Sequence, residues 1–310
     1  MRTLFWELIG SIAIFLALAT AIGAILGARS GGRNPTIVNL NQRIHAWWVM
    51  IAVVALAIGL GKNMTCVMFA LLSYLALREF ITLATTTASD HAALFIAFFI
   101  AIPVQYILLA INWYGMYVIF VPVHLFFLMS FVSALAQDTR SFLSRNAQIN
   151  WGLMVCVYGL SYAPAILILA IPHYDEGRNA LLLLFFLIVV QISDVLQYVV
   201  GKLAGRHRIA PLLSPSKTVE GFVGGGLLAT LCGVAMYRVT PFGPGMTFVM
   251  SLVIVVSGFI GGLVLSAVKR SLGAKDWGTI VSGHGGILDR VDSICFAAPV
   301  FFHLVRYLYT

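Results

Sequence analysis

Charge is what this sequence has least of. Only 10% of its 310 residues are Asp, Glu, Lys or Arg, with 11 acidic residues against 19 basic ones. Soluble domains carry about 25% charged residues, so this chain cannot clothe a water-facing globule. Cysteine is scarce too. Cys66, Cys156, Cys232 and Cys295 are scattered in or beside apolar runs with no C-x-x-C pair, which reads as small buried hydrophobes and not as a disulfide framework or metal knuckle. There is no G-x-x-x-x-G-K-[ST] run, so a Walker-type nucleotide loop is excluded. No second His or Cys stands at zinc spacing from His284, which argues against a zinc site. Internal repeats, low-complexity tracts and a soluble domain are also missing. The net charge of +8 fits loops lying beside anionic lipid, and no nucleic-acid partner is expected.

What the chain has in quantity is apolar length: 61% of residues are hydrophobic and the mean hydropathy is +0.98. A membrane span needs about 20 apolar residues. Candidate stretches with soft edges lie at 4–27, 45–61, 64–83, 93–111, 116–136, 151–171, 180–200, 220–238, 246–268 and 291–309. The expected fold is therefore all-α, a polytopic integral membrane helix bundle of about ten transmembrane helices. The first run lacks a signal-peptide-like A-x-A exit and is read as a span. The second is short and opens on Trp47 and Trp48, residues suited to an interface.

Basic residues set the orientation. Arg29, Arg33, Arg43, Arg78, Arg140, Arg145, Lys202, Arg206, Arg208, Lys217, Lys269, Arg270, Lys275 and Arg290 fall in the odd-numbered connections, 14 of the 19 Lys and Arg. The remaining five (Arg2, Lys62, Arg178, Arg238 and Arg306) share the other side with both termini. The positive-inside bias then predicts both termini outside the cytoplasm and the long basic loops within it. Near 28–45, helix breakers at Gly31-Gly32 and Asn34-Pro35 precede a stretch, Ile37 to Trp48, that suits an amphipathic helix on the membrane surface.

Polar residues inside the spans are few. Glu79 beside Arg78 is read as a local ion pair, and Gln105 and His124 as packing residues. Asp194 stands out, because a carboxylate within a span marks a functional site or a buried ion pair. Asp194, Gln197 and Tyr198 lie three to four residues apart and share a helix face. The loop that follows, Gly201 to Gly221, carries Lys202, Arg206 and Lys217 with the hydroxyls of Ser214, Ser216 and Thr218. It leads into a Gly-rich helix start whose N–H groups would suit an anion.

The densest charge is in Ser266 to Asp292, where Ser266, Lys269, Arg270, Lys275, Asp276, His284, Asp289, Arg290 and Asp292 fall between two apolar runs. Asp289 and Asp292, at i and i+3, face one way on a helix. Asp276 lies 13 residues before Asp289 across a Gly-rich bend. Carboxylates among Lys and Arg are the composition of a site that holds a divalent cation and a polyphosphate. Simple ion pairing of Asp289 with Arg290 and of Lys275 with Asp276 is the alternative, and composition leaves both open. His284 reads equally as a metal ligand, a general base or a loop-shaping hydrogen bonder.

The segment resembles the signature of phosphatidate cytidylyltransferases, S-x-x-K-R, then K-D, then H-G-G-x-x-D-R-x-D. It matches at Ser266, Lys269, Arg270, Lys275, Asp276, His284, Gly285, Gly286, Asp289, Arg290 and Asp292. Upstream, Asp194, Tyr198, Gly201, Lys202, Gly205, Arg206, Ser214, Pro215, Lys217, Thr218, Glu220 and Gly221 also resemble that family, with departures at Gln197 and Val281-Ser282. The resemblance implies transfer of CMP from CTP to phosphatidate or a related lipid phosphate, giving CDP-diacylglycerol and pyrophosphate. It implies Mg²⁺, with room for a second cation, on Asp276, Asp289 and Asp292. Lys217, Lys269 and Arg270 would join these carboxylates in catalysis. Asp194, Lys202, Arg206, Ser214, Ser216, Ser266, Lys275, His284 and Arg290 would bind or frame the substrates.

Residues 1–175 are accordingly read as N-terminal transmembrane helices, and 176–310 as the catalytic transmembrane region with cytoplasmic loops at 201–219 and 269–290. A bacterial inner membrane with the site on its cytoplasmic side fits, and a homodimer is left open. The rival readings are a CTP-dependent kinase of a polyprenol-type lipid alcohol, which would release CDP, and a transporter, for which the first six spans offer no polar path.

Overall fold

A computed structural model describes residues 2–29, 35–174, 176–279 and 285–310. Ten apolar helical segments run through it. They are α1 (Arg2–Arg29), α2 (Pro35–Gly59), α3 (Lys62–Leu83), α4 (Ala88–Ala110), α5 (Tyr114–Leu135), α6 (Phe142–Ile168), α7 (Asn179–Ala204), α8 (Gly221–Ala235), α9 (Pro244–Ser271) and α10 (Leu288–Tyr309). Eight of them are long and apolar enough to cross a membrane. The other two expected spans are shorter apolar helices, Ile44–Gly59 and Gly221–Ala235. The chain is an all-α integral membrane protein.

Two local expectations are revised. The stretch from Ile37 to Trp48 is not a separate surface helix but the first half of a continuous α2, held to α1 by Asn41 Nδ2 donating to the Gly23 carbonyl at 3.3 Å and by Trp48 Nε1 donating to Thr20 at 3.1 Å. The loop after α7 contains a small antiparallel hairpin, β1 (Arg208–Ala210) and β2 (Ser214–Thr218), with Arg208 opposite Thr218.

The connections alternate between two ends of the bundle. At one end, Thr85 N–H donates to Gln148 Oε1 at 2.8 Å, and Ser89 donates to Asp138 at 2.9 Å. At the same end, Phe80 stacks on both Trp151 and Trp277, and Arg270 reaches the Leu213 carbonyl at 3.4 Å. At the other end, Lys62 donates to the Ala110 carbonyl at 3.1 Å and Tyr174 to the Val239 carbonyl at 2.7 Å. Phe242 packs on Tyr309 there as well. The 28 residues of α9 reach about 42 Å at 1.5 Å per residue. That exceeds a hydrocarbon core of about 30 Å, and Lys269 and Arg270 lie in its last turn.

Between the ends, packing relies on aromatic side chains and close backbone approach. Tyr117, Tyr162, Phe185, Phe186, Phe301 and Phe302 are fully buried. Lipid tails are as apolar as leucine, so helices in a bilayer gain by fitting small residues against each other. The π-helical turn Gly221–Gly225 that opens α8 does this against α7: a Cβ on Gly221 would lie 2.6 Å from the Gln197 carbonyl oxygen. This contact brings the β hairpin to the polar end of α7.

Candidate active site

Four elements converge at that end. α7 supplies Asp194, Gln197 and Tyr198, β2 supplies Ser216, Lys217 and Thr218, α9 supplies Phe259, Gly262 and Ser266, and α10 supplies Asp289, Arg290, Asp292 and Ser293. With Phe222 of α8 they line one cavity of about 220 Å³. Both polar loops therefore meet, and the face shared by Asp194, Gln197 and Tyr198 is the face turned to the cavity.

The chemistry is concentrated on two carboxylates and one ammonium. The Ser293 hydroxyl donates to Asp194 Oδ2 at 2.9 Å and lies 3.4 Å from Asp292 Oδ1, while the Ser293 N–H donates to that same Oδ1 at 2.7 Å. Lys217 Nζ sits 4.7 Å from the centre of the Phe259 ring and donates to the Phe259 carbonyl at 3.5 Å. The notch that admits it is Gly262: a Cβ there would lie 2.8 Å from Lys217 Nζ and 3.7 Å from Asp292 Oδ2. Burial lowers the affinity of the Lys217 amine for its proton, against Asp292 and Asp194, which favour the ammonium. A half-buried cation with incomplete hydrogen bonding beside two carboxylates is suited to receive an anionic ligand.

Asp289 behaves differently. Its Oδ1 pairs with Lys269, and its Oδ2 accepts the N–H groups of Trp277 and Gly286, each at 2.9 Å. Its side chain is thus spent on folding the loop around the start of α10. Asp276 is exposed and does not line the cavity. Among the described residues, no group of three His, Cys, Asp or Glu side chains is placed to hold a metal ion, so Asp276, Asp289 and Asp292 do not converge as a ligand set. Of the three carboxylates that line the cavity, Asp194 and Asp292 are the two not committed to Lys269 and the loop amides. Mg²⁺ is commonly bound through one or two carboxylates together with substrate phosphates, and this pair fits that donor set.

The other expected residues fall into distinct places. Ser216 and Arg290 line the cavity. Ser266 lines it too, its hydroxyl donating to the Gly262 carbonyl at 2.6 Å. Arg270 is exposed and ties the hairpin to the end of α9 through the Leu213 and Ala274 carbonyls at 3.4 and 3.3 Å. Ser214 pairs with Ala210 within the hairpin. Lys202, Arg206 and Lys275 are exposed outside the cavity. A larger, open hollow of about 560 Å³ lies next to Arg206, His207 and Glu220, and neither Asp194 nor Asp292 lines it. There the Arg206 N–H and the His207 side chain hold the Glu220 carboxyl down at about 2. His284, with the departures Val281 and Ser282, lies outside the described residues.

Sequence reasoning passed over Ser293, Phe222 and Phe259, and it misread Glu79. Ser293 adjoins Asp292, and a hydroxyl next to an intramembrane carboxylate is a signal that was available. Phe222 and Phe259, with ring centres 4.3 Å apart, had no distinguishing mark among 21 phenylalanines. Glu79 corrects the expected pairing with Arg78. Its carboxylate turns inward, accepting the N–H groups of Ile287 and Leu288 at 2.9 and 2.8 Å, while Arg78 is exposed.

A model of the cytidylyltransferase family matches residues 41–308. The uncharacterized protein YnbB of Escherichia coli (strain K12) is 36% identical over 293 residues, 94% of this chain and 95% of that protein. The phosphatidate cytidylyltransferase of Staphylococcus saprophyticus is 36% identical over 160 residues, 51% of this chain and 61% of that enzyme. The Staphylococcus aureus (strain COL) enzyme of the same name is 34% identical over the same shares. With a family match across nearly all the spans and the polar cavity, the chain belongs to the cytidylyltransferase family.

Proposed function

We propose that the protein transfers CMP from CTP to the phosphate of phosphatidate or a closely related lipid phosphate, releasing pyrophosphate and forming CDP-diacylglycerol. The observation that carries this reading is the make-up of one cavity: Asp194, Asp292, Lys217 and the hydroxyls of Ser216 and Ser266 share it with Phe222 and Phe259. An acceptor with an anionic head and apolar tails matches that mixture. Val195, Tyr198 and Val223, on the helices bordering the cavity, are exposed, which suits a lipid arriving sideways from the bilayer.

The acceptor phosphate is an anion at neutral pH, so its oxygen attacks without help from a side-chain base. That oxygen bonds to the α-phosphorus of CTP. The bond from the α-phosphorus to the bridging oxygen breaks, and pyrophosphate leaves with the electron pair. The obstacle is bringing two polyanions together, and positioning with charge neutralisation carries most of such catalysis. Mg²⁺ held by Asp194 and Asp292 would neutralise and align the phosphates. Lys217, beside the carboxylates, compensates phosphate charge, Ser216 offers a hydroxyl hydrogen, and Ser266, whose hydrogen goes to Gly262, offers an acceptor oxygen. Lys269 balances Asp289, so that only the open carboxylate pair draws a cation. Exposed Lys202, Arg206, Arg270 and Lys275 draw CTP toward the cavity mouth. On the positive-inside argument that mouth faces the cytoplasm, and a bacterial inner membrane is the proposed setting.

The test is purified protein in detergent with phosphatidate, Mg²⁺ and CTP labelled at either the α- or the γ-phosphate. The expected result is α-label in the lipid and γ-label in pyrophosphate. γ-Label in the lipid with release of CDP would replace this reading with a lipid kinase, and solute flux into proteoliposomes without CTP consumption would replace it with transport.

A further inference from the structure

The carboxylate of Glu79 lies far along the chain from the cavity yet is attached to its framework. It sits at the end of α3, with 5% of the residue exposed. Its Oε1 accepts the Ile287 N–H at 2.9 Å and its Oε2 accepts the Leu288 N–H at 2.8 Å. These amides open α10, where the first N–H groups have no partner within the helix. A carboxylate there also meets the positive end of the helix dipole. α10 is without a capping side chain of its own.

The fit is specific to the two glycines that face Glu79. A Cβ on Gly278 would lie 2.7 Å from Glu79 Oε1, and one on Gly286 would lie 2.7 Å from its Cδ. The two flanks of the loop are then cinched by two carboxylates. Glu79 takes the N–H groups of residues 287 and 288, and Asp289 takes those of 277 and 286. Phe80, next to Glu79, stacks on Trp277 with ring centres 5.5 Å apart.

We propose that Glu79 is a positioning residue for the active site: by capping α10 from the N-terminal half, it fixes the turn that carries Asp289 and Asp292. Asp292 is the fifth residue of α10, about 6 Å along the axis from its start at 1.5 Å per residue. A shift at the cap therefore reaches the cavity with little attenuation. The consequence for turnover rests on the proposed transfer reaction, whereas the capping role stands without it.

The test compares the wild-type protein with Glu79→Gln and Glu79→Asp in detergent. Glutamine keeps the shape but turns an NH₂ donor on one of the two amides, and aspartate keeps both oxygens on a shorter stem. Hydrogen–deuterium exchange is read on peptides covering 276–292 and 244–271, with turnover and both KM values alongside. For Glu79→Gln we expect faster exchange in 276–292 only. We also expect kcat to fall roughly 10- to 100-fold, the span of a lost hydrogen bond to a charged group, with the KM for lipid within about twofold. Glu79→Asp should recover part of both. Unchanged exchange in 276–292 would overturn the proposal. Equal loosening of 244–271 would overturn it as well, since that is general destabilisation. If the wild type transfers no CMP, the transfer reading fails and exchange alone decides the capping role.

Discussion

Two groups of charges stand at the same end of this bundle and are built on opposite plans. In the first, Arg145 on α6 is enclosed. Its side chain is 3% exposed and meets Asp90, itself 2% exposed, at 3.1 Å, and Asp138 at 3.2 Å. It also donates to the Asp138 carbonyl at 3.1 Å and to the Arg140 carbonyl, so the guanidinium spends its donors on the protein. In the second, Asp194 is exposed and Asp292 and Lys217 are half-buried; all three face a cavity, Ser293 bridges the two carboxylates, and hydrogen-bonding capacity is left unused. Buried charge costs several kcal/mol per ion unless its partners are complete. The first cluster meets that condition alone and staples the connections between α3, α4, α5 and α6. The second stays open to the cavity, where a ligand can supply further partners, which is the physical mark of a site.

Removing a partner from each group should separate them, starting with the largest effect. Arg145→Ala leaves the buried Asp90 without its cation and Asp138 with Arg140 alone, and should destabilise the protein by about 3–5 kcal/mol, read by denaturant unfolding in detergent. Turnover per folded molecule should stay near wild type. Asp292→Asn should do the reverse: CMP transfer falls about 10²- to 10³-fold, as when a group aimed at developing charge is lost. The thermal midpoint holds or rises, because two adjacent carboxylates no longer repel. An Asp292→Asn protein that unfolds like Arg145→Ala would erase the distinction.

Lys217→Met should raise the KM for CTP or lipid roughly 10- to 100-fold, the worth of a charged hydrogen bond. The pH profile sharpens this. Since burial lowers the Lys217 pKa, its charge is lost as pH rises at a value below the ordinary lysine range near ~10.4. Substrate affinity should therefore fall on the alkaline side earlier than for an exposed lysine, and Lys217→Arg should flatten that limb. Within the window between folded and unfolded pKa the unfolded chain binds more protons, so stability there rises with pH.

The smallest effect belongs to the closed cluster. The Arg140 and Ser89 side chains hold the Asp138 carboxyl well below its usual range. Its stabilising contribution is full above the ordinary carboxylate pKa of about 3.9 and is lost as pH falls below it. Asp138→Asn should flatten that acid limb of the unfolding midpoint without touching turnover at neutral pH.

Much of this was legible in the chain itself. Hydropathy located the ten apolar helices, because a bilayer imposes length and composition on each one independently. Asp194 was conspicuous, since a carboxylate has few innocent uses within a span. The placement of Lys217 beside Asp292, through a notch at Gly262, depends on three segments meeting and leaves no periodic trace. Composition equally could not distinguish Asp289, spent on Lys269 and two backbone amides, from Asp292, which is open. Glu79 misled because its neighbour Arg78 offered a local partner. Helix geometry points successive residues in different directions, and the inward one found the amides of α10.

The central claim is that the open cluster is the reaction site. The most direct measurement is transfer of α-phosphate label from CTP to phosphatidate by wild-type and Asp292→Asn proteins, matched for folded fraction, with pyrophosphate counted in parallel. The account predicts lipid-bound label and equimolar pyrophosphate from the wild type, and loss of both from the variant at an undiminished thermal midpoint. Folded wild-type protein that yields neither product, or a variant that matches it, would contradict the account.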